Sequence, residues 1–409
     1  MSQQTTAMSA LAINTQAKPR ILHFIESEGV YGAERVILNL SQQLKTGTDF
    51  TPVVGCIVTS AASDNALYDA ALQLGLEAVK IPIANTSVLG DLPRAARQLQ
   101  ALNIDLIHSH GYKPSVFGFV LRLLTKIPVI ATCHLWFQPN KGPLKMRIMI
   151  RLEKFFYRWF PKVIAVSEPI KQILLGAGLR PDQVDIVCNG VDTPSSSLNP
   201  EQLQQLRREL GLNPGDFCLL NSARLNAQKA QWVLVEAAAL LRQQQLNQQQ
   251  PSAPVRFLIV GQGPLESELR AQIELLDLGD SVKLLGFRRD IPQLLQLCDA
   301  FVLPSIDEGM PMSLLEAAAA AKPIISTLVG DIGKLIRHEQ TGLCIPLENP
   351  QALVDAIEHL QTQPQLAQQL AHQAHSDMQR SYSSQAMAAR YSDIYSALFQ
   401  PATAASTQS

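Results

Sequence analysis

Two glutamates eight positions apart, Glu308 and Glu316, form the most informative acidic pair in this sequence. The first follows an apolar run, 300–304, that is typical of a buried strand, and the second falls in the first turn of a helix expected over 314–321. A helix N-terminus offers unpaired N–H groups and a partial positive charge, which suit a phosphate. Carboxylates beside it accept hydrogen bonds from sugar hydroxyls. The segment therefore predicts a sugar-nucleotide site, with an ordinary helix start as the alternative.

A basic pair, Arg224 and Lys229, occupies the loop after another apolar run, 217–222. Arginine offers a bidentate fork and lysine a point charge, so two such residues five positions apart can embrace a diphosphate. Gly261, at the end of the next expected strand, would let a nucleotide base lie against the backbone. Solvated cations and a plain turn are the alternatives.

The first half of the chain carries weaker signals at its strand ends. Gly32 lies in a turn where the backbone can approach a phosphate or sugar closely, but the turn lacks the GxGxxG pattern of a dinucleotide-dependent dehydrogenase. His108 and His110 are interpreted as core histidines. For His134, both a role in binding a hydroxyl or taking a proton and a purely structural role remain open.

Apolar runs alternate with helical patterns along the chain, which predicts parallel sheets with helices on both faces. The expected fold class is α/β, with two Rossmann-like, doubly wound domains facing each other across a cleft. Ligands of such sheets bind beyond the carboxyl ends of the strands, where the residues above lie. The expected strands cover 20–25, 52–58, 106–109, 129–132, 163–166 and 185–188, then 217–222, 256–260, 282–285, 300–303 and 324–326.

The turn and polar linker that begin at Asn189 mark the expected domain boundary. A Gln-rich stretch, 243–254, predicts a surface loop. The predicted parts are a disordered tail (1–18), an N-terminal acceptor-side domain (19–190), a C-terminal nucleotide-sugar-binding domain (191–384), a helix that crosses back to the first domain (385–400) and a second disordered tail (401–409).

The composition argues against several classes of protein. The 409 residues carry a formal net charge of −1, so nucleic acid is not an expected partner. The six cysteines are scattered without metal-ligand spacing, which favours reduced thiols in a cytoplasmic protein and no metal site. Residues 1–18 lack the pattern of a secretory signal, and no apolar run has the length of a membrane span.

The segment 145–162 combines basic and aromatic side chains. Arg147, Arg151, Lys154 and Arg158 recur at spacings of three and four residues, which places them on one face of a helix. A basic helix with aromatic residues can lie on an anionic membrane surface. A helix packed on the core with a solvated basic face is the alternative.

Several short motifs follow one another in a definite order. They are Gly32-Ala-Glu, His134, Val166-Ser-Glu, Asn189-Gly-Val-Asp, Arg224 with Lys229, Val260-Gly-Gln-Gly-Pro, Glu308 with Glu316, and Lys322-Pro-Ile-Ile. No single motif is specific. The ordered set resembles the retaining GT-B glycosyltransferases of family four (glycosyl transferases group 1), and the resemblance extends over about residues 20–395.

The resemblance implies how a nucleotide would be bound. Arg224 and Lys229 would bind the donor diphosphate, and Glu316 would hold the ribose hydroxyls. Gly261 would lie beside the nucleotide, and Gly32 would lie near the transferred group.

The resemblance also implies how the donor sugar would be held. Glu308 and the segment after it, with Gly309, Met310 and Leu314, would bind the sugar, and Leu314 would mark the helix N-terminus. His134 would contact the sugar from the N-terminal domain. Glu308 and His134 are thus the expected catalytic residues.

The implied activity is retaining, metal-independent transfer of a hexose from a UDP- or GDP-sugar to a glycan or lipid-linked acceptor. It would need no cofactor and would serve bacterial polysaccharide, lipopolysaccharide or glycolipid assembly, in the cytoplasm or at the inner face of the cytoplasmic membrane. The alternatives are a GT-B sugar-nucleotide epimerase, an α-glucan synthase, and a non-catalytic scaffold subunit that binds a nucleotide sugar.

Overall fold

The computed structural model describes residues 18–400, except 28, 31, 85, 135–143, 194–196 and 248–252. Two parallel sheets, one in each half of the chain, form the framework of the protein. Apart from Lys18, the tails expected at 1–18 and 401–409 lie outside the described residues. The middle of the loop expected at 243–254 does so too, and a helix continues into the start of that loop as far as Asn247.

The first sheet contains seven strands. They are β1 (Arg20–Glu26), β2 (Thr51–Val58), β3 (Glu77–Pro82), β4 (Leu106–His110), β5 (Val129–Cys133), β6 (Val163–Ala165) and β7 (Val184–Ile186). Their order across the sheet is β3-β2-β1-β4-β5-β6-β7, and neighbouring strands are parallel. The helices of this half are α1 (Gly32–Gly47), α2 (Ala66–Gln73), α3 (Val88–Ala101), α4 (Tyr112–Thr125), α5 (Leu144–Tyr157) and α6 (Glu168–Gly176).

The second sheet contains six strands. They are β8 (Phe217–Ser222), β9 (Val255–Val260), β10 (Val282–Leu284), β11 (Ala300–Leu303), β12 (Ile324–Thr327) and β13 (Leu343–Ile345). Their order is β10-β9-β8-β11-β12-β13, and again all pairs are parallel. The helices of this half are α7 (Pro200–Glu209), α8 (Trp232–Asn247), α9 (Glu266–Leu275), α10 (Ile291–Leu297), α11 (Met312–Ala319), α12 (Pro350–Thr362), α13 (Pro364–Tyr382) and α14 (Ser384–Phe399).

The central strands are apolar along their whole length because helices cover both faces of each sheet. Every residue of β4, β5 and β11 is buried. Each strand expected from the sequence is present, and the α/β class is confirmed.

Two edge strands were not predicted from the sequence. β3 forms one edge of the first sheet, and β13 forms one edge of the second. Most residues of β3 are only half-buried, and β13 is three residues long, so neither strand produces a continuous apolar run. Edge strands are paired on one side only, and their sequences therefore need less apolar character.

The chain passes between the two halves at one tightly packed crossing. The N–H of Val191 donates to the carbonyl of Tyr382 at 2.9 Å, and the N–H of Ser384 donates to the carbonyl of Val191 at 3.1 Å. Helix α14 then packs on the first sheet, where Met387, Ala388, Tyr391 and Tyr395 are buried beside residues such as Ile21 and Leu40. The domain limits at 190–191 and 384–385 remain predictions, but helix α14 does contact the first half.

The strand order of each sheet reverses at one point, between β1 and β4 in the first sheet and between β8 and β11 in the second. Crevices open where the loops leave such points, beyond the carboxyl ends of the strands. The loop after β1 leads to Gly32 at the start of α1, and the loops after β8 and β11 carry Arg224 with Lys229, and Glu308. The topology thus brings the expected site residues to the same edges.

Helix α5 is shorter than the expected basic helix over 145–162. It ends at Tyr157, so Arg158 lies beyond it, and the side chain of Arg147 is outside the described residues. One face packs inward through the buried Tyr157, while Arg151 and Phe155 are exposed. Within the described part of the chain, no helix has both the length and the apolar character that a membrane span requires.

The crossing between the two halves leaves no room for a side chain at Gly190. A Cβ there would lie 2.7 Å from the carbonyl oxygen of Ser383 and 2.7 Å from the Cα of Ser384. We therefore expect Gly190→Ala to lower the free energy of unfolding by about 1–3 kcal/mol, as overpacking typically does. Urea denaturation measures this. Gly90→Ala, where a Cβ meets nothing within 4 Å, is the control, and an equal effect of both substitutions would contradict the expectation.

Candidate active site

Residues from both halves line a cavity of about 470 Å³. Its wall contains five of the expected site residues, Gly32, Arg224, Lys229, Gly261 and Glu316. The other five, His134, Glu308, Gly309, Met310 and Leu314, lie outside the wall. The wall also contains residues that are not among the expected site residues, such as Arg35, Ser222 and Met312.

An ion pair closes one side of the cavity. Arg35 on α1 places Nη1 3.1 Å from Oε1 of Glu316 on α11, so it joins the two halves of the protein. Glu316 lies in the second turn of α11, one turn later than expected, because the helix begins at Met312. Burial raises the pKa of Glu316, and Arg35 opposes this shift. Arg35 follows Gly32 by three positions, which places both on one face of α1, but an arginine at this spacing is ordinary on a helix and did not identify it from the sequence.

A second ion pair joins the basic loop to the acidic loop. The ammonium group of Lys229 is bonded to Oε1 of Glu308, and both side chains are largely buried. The loops are also joined through Gln228, whose carbonyl accepts from the N–H of Ile306 at 2.9 Å and whose amide donates to the carbonyl of Asp307 at 2.7 Å. Glu308 is therefore next to the cavity through Lys229, although it is not part of the wall.

The glycines after β9 also pack closely against the basic loop. A Cβ on Gly261, which has a φ of +137°, would lie 1.9 Å from the carbonyl oxygen of Ala223. A Cβ on Gly263 would lie 2.1 Å from the carbonyl oxygen of Leu225. Both glycines thus allow the loop around Arg224 to pack against the end of β9. They shape the basic loop, and the exposed side chain of Arg224 is left at the cavity.

Met310 and Leu314 point away from the cavity. Their side chains are buried in the core of the second half, with 7% and 0% of their surface exposed. Any contact that they make with a ligand must come from the backbone. The cavity wall at the start of α11 is formed instead by Pro311, Met312 and Ser313.

Gly309 lies at a further contact between the halves. A Cβ there would be 3.4 Å from Oγ of Ser167, which belongs to the Val-Ser-Glu motif of the first half. Asp331 reinforces this contact, because its Oδ2 accepts from the N–H of Glu168 at 2.8 Å and its own N–H donates to the carbonyl of Gly309 at 3.0 Å.

His134 follows β5 and belongs to a cluster of histidines. Its Nε2 lies 3.0 Å from Nδ1 of His110, and Nε2 of His110 lies 3.2 Å from Nδ1 of His23. Burial lowers the pKa of His134 to about 4 and that of His23 to about 3, and it holds the pKa values of His108 and His110 well below the ordinary value. All four imidazoles are therefore neutral at pH 7.

Within the described ranges, one group of side chains has the spacing of a metal site. His23, His108 and His110 each place a ring nitrogen within 4.8 Å of the others. Both nitrogens of His108 are already bonded, to the hydroxyl of Tyr395 and to Oγ1 of Thr132, each at 2.7 Å. The group is therefore a hydrogen-bonded core cluster.

Two protein families match this chain in succession. The model of glycosyltransferase family 4 matches residues 30–194, and that of the glycosyl transferases group 1 matches residues 203–377. Together they cover most of the sequence. The chain belongs to the group 1 glycosyltransferases.

Two curated relatives illustrate the family. The UDP-Gal:α-D-GlcNAc-diphosphoundecaprenol α-1,3-galactosyltransferase of Escherichia coli is 29% identical over 62% of this chain, and the match covers 65% of that enzyme. The N,N′-diacetylbacillosaminyl-diphospho-undecaprenol α-1,3-N-acetylgalactosaminyltransferase of Campylobacter jejuni is 28% identical over 79% of this chain and 86% of its own length.

The crystal structure of Anabaena Alr3699/HepE in complex with UDP and glucose supports the fold. It has a TM-score of 0.77 and 23% identity, and the match covers 93% of this chain and all of that one. The expected GT-B fold, two Rossmann-like domains with parallel sheets, is thus confirmed.

The buried histidines predict a loss of stability in mild acid. Unfolded histidines bind protons below about pH 6.5 while the folded ones stay neutral, so unfolding takes up protons. We expect each buried histidine to lower the free energy of unfolding by up to about 1.4 kcal/mol per pH unit below about pH 6.5. Urea denaturation at pH 7 and pH 5 measures this.

Two variants test whether the cluster causes this loss. His23→Met should lose less stability between the two pH values than the wild-type protein. His372→Asn removes an exposed histidine and should behave like the wild-type protein. Equal losses in wild type and His23→Met would contradict the assignment.

Proposed function

We propose that this protein is a retaining, metal-independent glycosyltransferase that moves a hexose from a UDP- or GDP-sugar to a glycan or lipid-linked acceptor. The observation that carries the proposal is the cavity between the two halves, which joins a basic pair, Arg224 and Lys229, to a half-buried carboxylate, Glu316, near the start of α11. The relatives named for diphosphoundecaprenol acceptors favour a lipid-linked acceptor and a role in bacterial polysaccharide, lipopolysaccharide or glycolipid assembly.

In this proposal Glu316 binds the ribose of the donor. An ionised carboxylate offers acceptor sites on both oxygens, whereas a protonated one turns one oxygen into a donor, and burial works against the ionised state. Arg35 favours the ionised form through its contact with Oε1 and leaves Oε2 for the ribose. Gly32 lies across the cavity, where a Cβ would meet no atom of another described segment within 4 Å, so this side is open to the transferred sugar.

The diphosphate would bind between Arg224, Lys229 and the N–H groups at the start of α11. Lys229 is paired with Glu308. When the diphosphate takes over the ammonium group of Lys229, the carboxylate of Glu308 can turn to the hydroxyls of the donor sugar. This exchange would explain why Lys229, which would bind the diphosphate, is paired with Glu308, which would bind the donor sugar.

The chemical step would rely on stabilising the leaving diphosphate. Negative charge grows there as the bond to the sugar breaks, and two cations with a helix N-terminus stabilise it without a divalent ion. His134, neutral at pH 7 because burial lowers its pKa to about 4, would donate a hydrogen bond to the sugar. Retention would follow from attack by the acceptor on the face that the diphosphate leaves, with the leaving phosphate taking the acceptor proton.

The acceptor side would lie near the surface of α5. Arg151, Lys154, Phe155 and Arg158 line a groove of about 500 Å³ between this segment and α6. Phe155 is 51% exposed, and Trp159 beside it is 56% exposed. Cations beside exposed aromatic rings suit the headgroup region of an anionic membrane, which would place the enzyme at the inner face of the cytoplasmic membrane.

Nucleotide binding tests the donor site. In EDTA, a nucleotide of the correct base at about 100 times its dissociation constant should stabilise the wild-type protein by about 2.7 kcal/mol, which thermal unfolding detects. Glu316→Ala should weaken binding about 10- to 100-fold, because hydrogen bonds to a charged group are lost. Glu268→Ala, which removes an exposed carboxylate on α9, should bind like wild type.

The same panel separates the alternatives. UDP, GDP, ADP and CMP and their sugar conjugates are compared, and release of nucleotide is followed in EDTA with and without an acceptor. Turnover without an acceptor would instead favour an epimerase. Elongation of a soluble glucan would favour an α-glucan synthase. Tight binding without turnover would favour a non-catalytic scaffold subunit. Activity that needs added magnesium would refute metal independence.

Co-sedimentation with lipid vesicles tests the surface of α5. We expect binding to vesicles rich in phosphatidylglycerol, weaker binding at high salt, and a loss of at least about tenfold in the double variant Arg151→Glu, Lys154→Glu, since each basic residue contributes about 1 kcal/mol. The charge-matched variant Arg208→Glu, Arg270→Glu changes exposed residues of the second half and should bind normally. Equal binding by both double variants would exclude this surface.

A further inference from the structure

Three histidines form a hydrogen-bonded chain through the first sheet. His23 lies in β1, His110 ends β4, and His134 follows β5, so each comes from a neighbouring strand. Nδ1 of His23 lies 3.2 Å from Nε2 of His110, and Nδ1 of His110 lies 3.0 Å from Nε2 of His134. The chain therefore connects the core to the residue expected to contact the donor sugar.

The chain must run in one direction. His23 is fully buried, His110 is 3% exposed, and burial holds the pKa of each imidazole below its ordinary value. A neutral imidazole has one N–H group and one lone pair. The tautomer of one ring therefore determines the tautomers of the other two through the hydrogen bonds.

The inner end of the chain selects the direction. Nε2 of His23 is buried, and no described group is bonded to it. If His23 donates to His110, Nε2 of His23 has an unused lone pair. If His110 donates to His23, Nε2 of His23 has an unused N–H group. Among backbone groups, buried N–H donors without a partner are rarer than carbonyls with unused lone pairs, and we extend this preference to the imidazole nitrogens. The favoured direction is therefore Nδ1–H of His23 to His110, and Nδ1–H of His110 to His134.

We infer that His110 and His23 are positioning residues that hold His134 as the Nδ1–H tautomer. Nε2 of His134 accepts from His110, and Nδ1 of His134 carries a proton that it can donate. No described residue accepts from that Nδ1. The identity of its acceptor, a hydroxyl of the donor sugar, rests on the proposed function, whereas the tautomer itself does not.

Helix α14 holds the chain in place. The hydroxyl of Tyr395 lies 2.7 Å from Nδ1 of His108, and Nε2 of His108 lies 2.7 Å from Oγ1 of Thr132. The hydroxyl of Tyr391 lies 2.9 Å from the same Oγ1. The ring of His108 packs 4.2 Å from that of His110, so the crossing helix supports the orientation of His110.

A metal-binding site is the alternative interpretation of these histidines. His108 uses both ring nitrogens with Thr132 and Tyr395, and His110 uses both with His23 and His134. Among the ring nitrogens of His23, His108 and His110, only Nε2 of His23 lacks a partner in the described part of the protein. Metal binding would have to break several of these hydrogen bonds, in a site without a carboxylate to balance the charge.

Nitrogen NMR of the full-length protein labelled with ¹⁵N-histidine tests the inference directly. Protonated and unprotonated ring nitrogens resonate in separate regions, and single His→Gln substitutions assign the eight histidines. At pH 7 we expect Nδ1 of His134, His110 and His23 to be protonated and Nε2 of each to be unprotonated. A proton on Nε2 of His134 would refute the inference, as would shifts of the His23, His108 and His110 signals on adding Zn²⁺.

Two isosteric variants test the effect on catalysis. In His110→Asn an amide N–H can replace Nδ1–H, so His134 should keep its tautomer and kcat should stay within about threefold of wild type. In His110→Asp a carboxylate accepts from His134, which should reverse the tautomer and lower kcat about tenfold or more. If both variants keep the wild-type tautomer, His110 does not position His134. If His110→Asp fails to fold, the wild-type spectrum still decides the tautomer.

The NMR spectrum tests the tautomer of His134, and the sugar-transfer assay tests the proposed function, so each can be contradicted without the other. An Nδ1–H tautomer without any sugar transfer would overturn the proposed function and leave the assignment of the histidine chain intact. Sugar transfer by a protein whose His134 carries its proton on Nε2 would overturn the inference alone.

Discussion

The backbone of Val191 is bonded on both sides to the residues that end α13 and begin α14, and this crossing holds the two sheets in one arrangement. Gly190 leaves the space that the crossing needs. Beyond it, α14 is anchored in the first half by two buried tyrosines, of which Tyr395 is hydrogen-bonded to His108 and Tyr391 to Thr132. The candidate cavity depends on this attachment, because its wall is composed of residues from both halves.

Two pairs of oppositely charged side chains lie at the cavity. Lys229 is paired with Glu308 inside the second half, and Arg35 is paired with Glu316 across the cleft. A largely buried charge is costly without a partner, so the pairs allow a site rich in charge to exist before a ligand arrives. A dianionic ligand can then exchange partners with these groups, which requires less desolvation than binding to isolated charges.

The sequence predicted the α/β class and the central strands because buried parallel strands leave continuous apolar runs, such as that of β11. The edge strands β3 and β13 left no such run. Arg224, Lys229 and Gly261 could be proposed because they lie in loops that follow buried strands, and Glu316 because it lies near the start of the helix after β11. Arg35 could not be selected as readily, since an arginine on an amphipathic helix is ordinary and its partner is 281 positions away in the sequence.

The sequence by itself determined the alternation of strands and helices, and therefore the edge at which the site lies, because that pattern is local. Only the tertiary structure decided what each side chain does there. Met310 and Leu314 point into the core, Gly261 makes room for the loop of Arg224, and His134 is bonded to two further histidines through His110. These outcomes depend on which distant segments come into contact. Packing between helices and strands decides those contacts, and a local sequence pattern does not predict them.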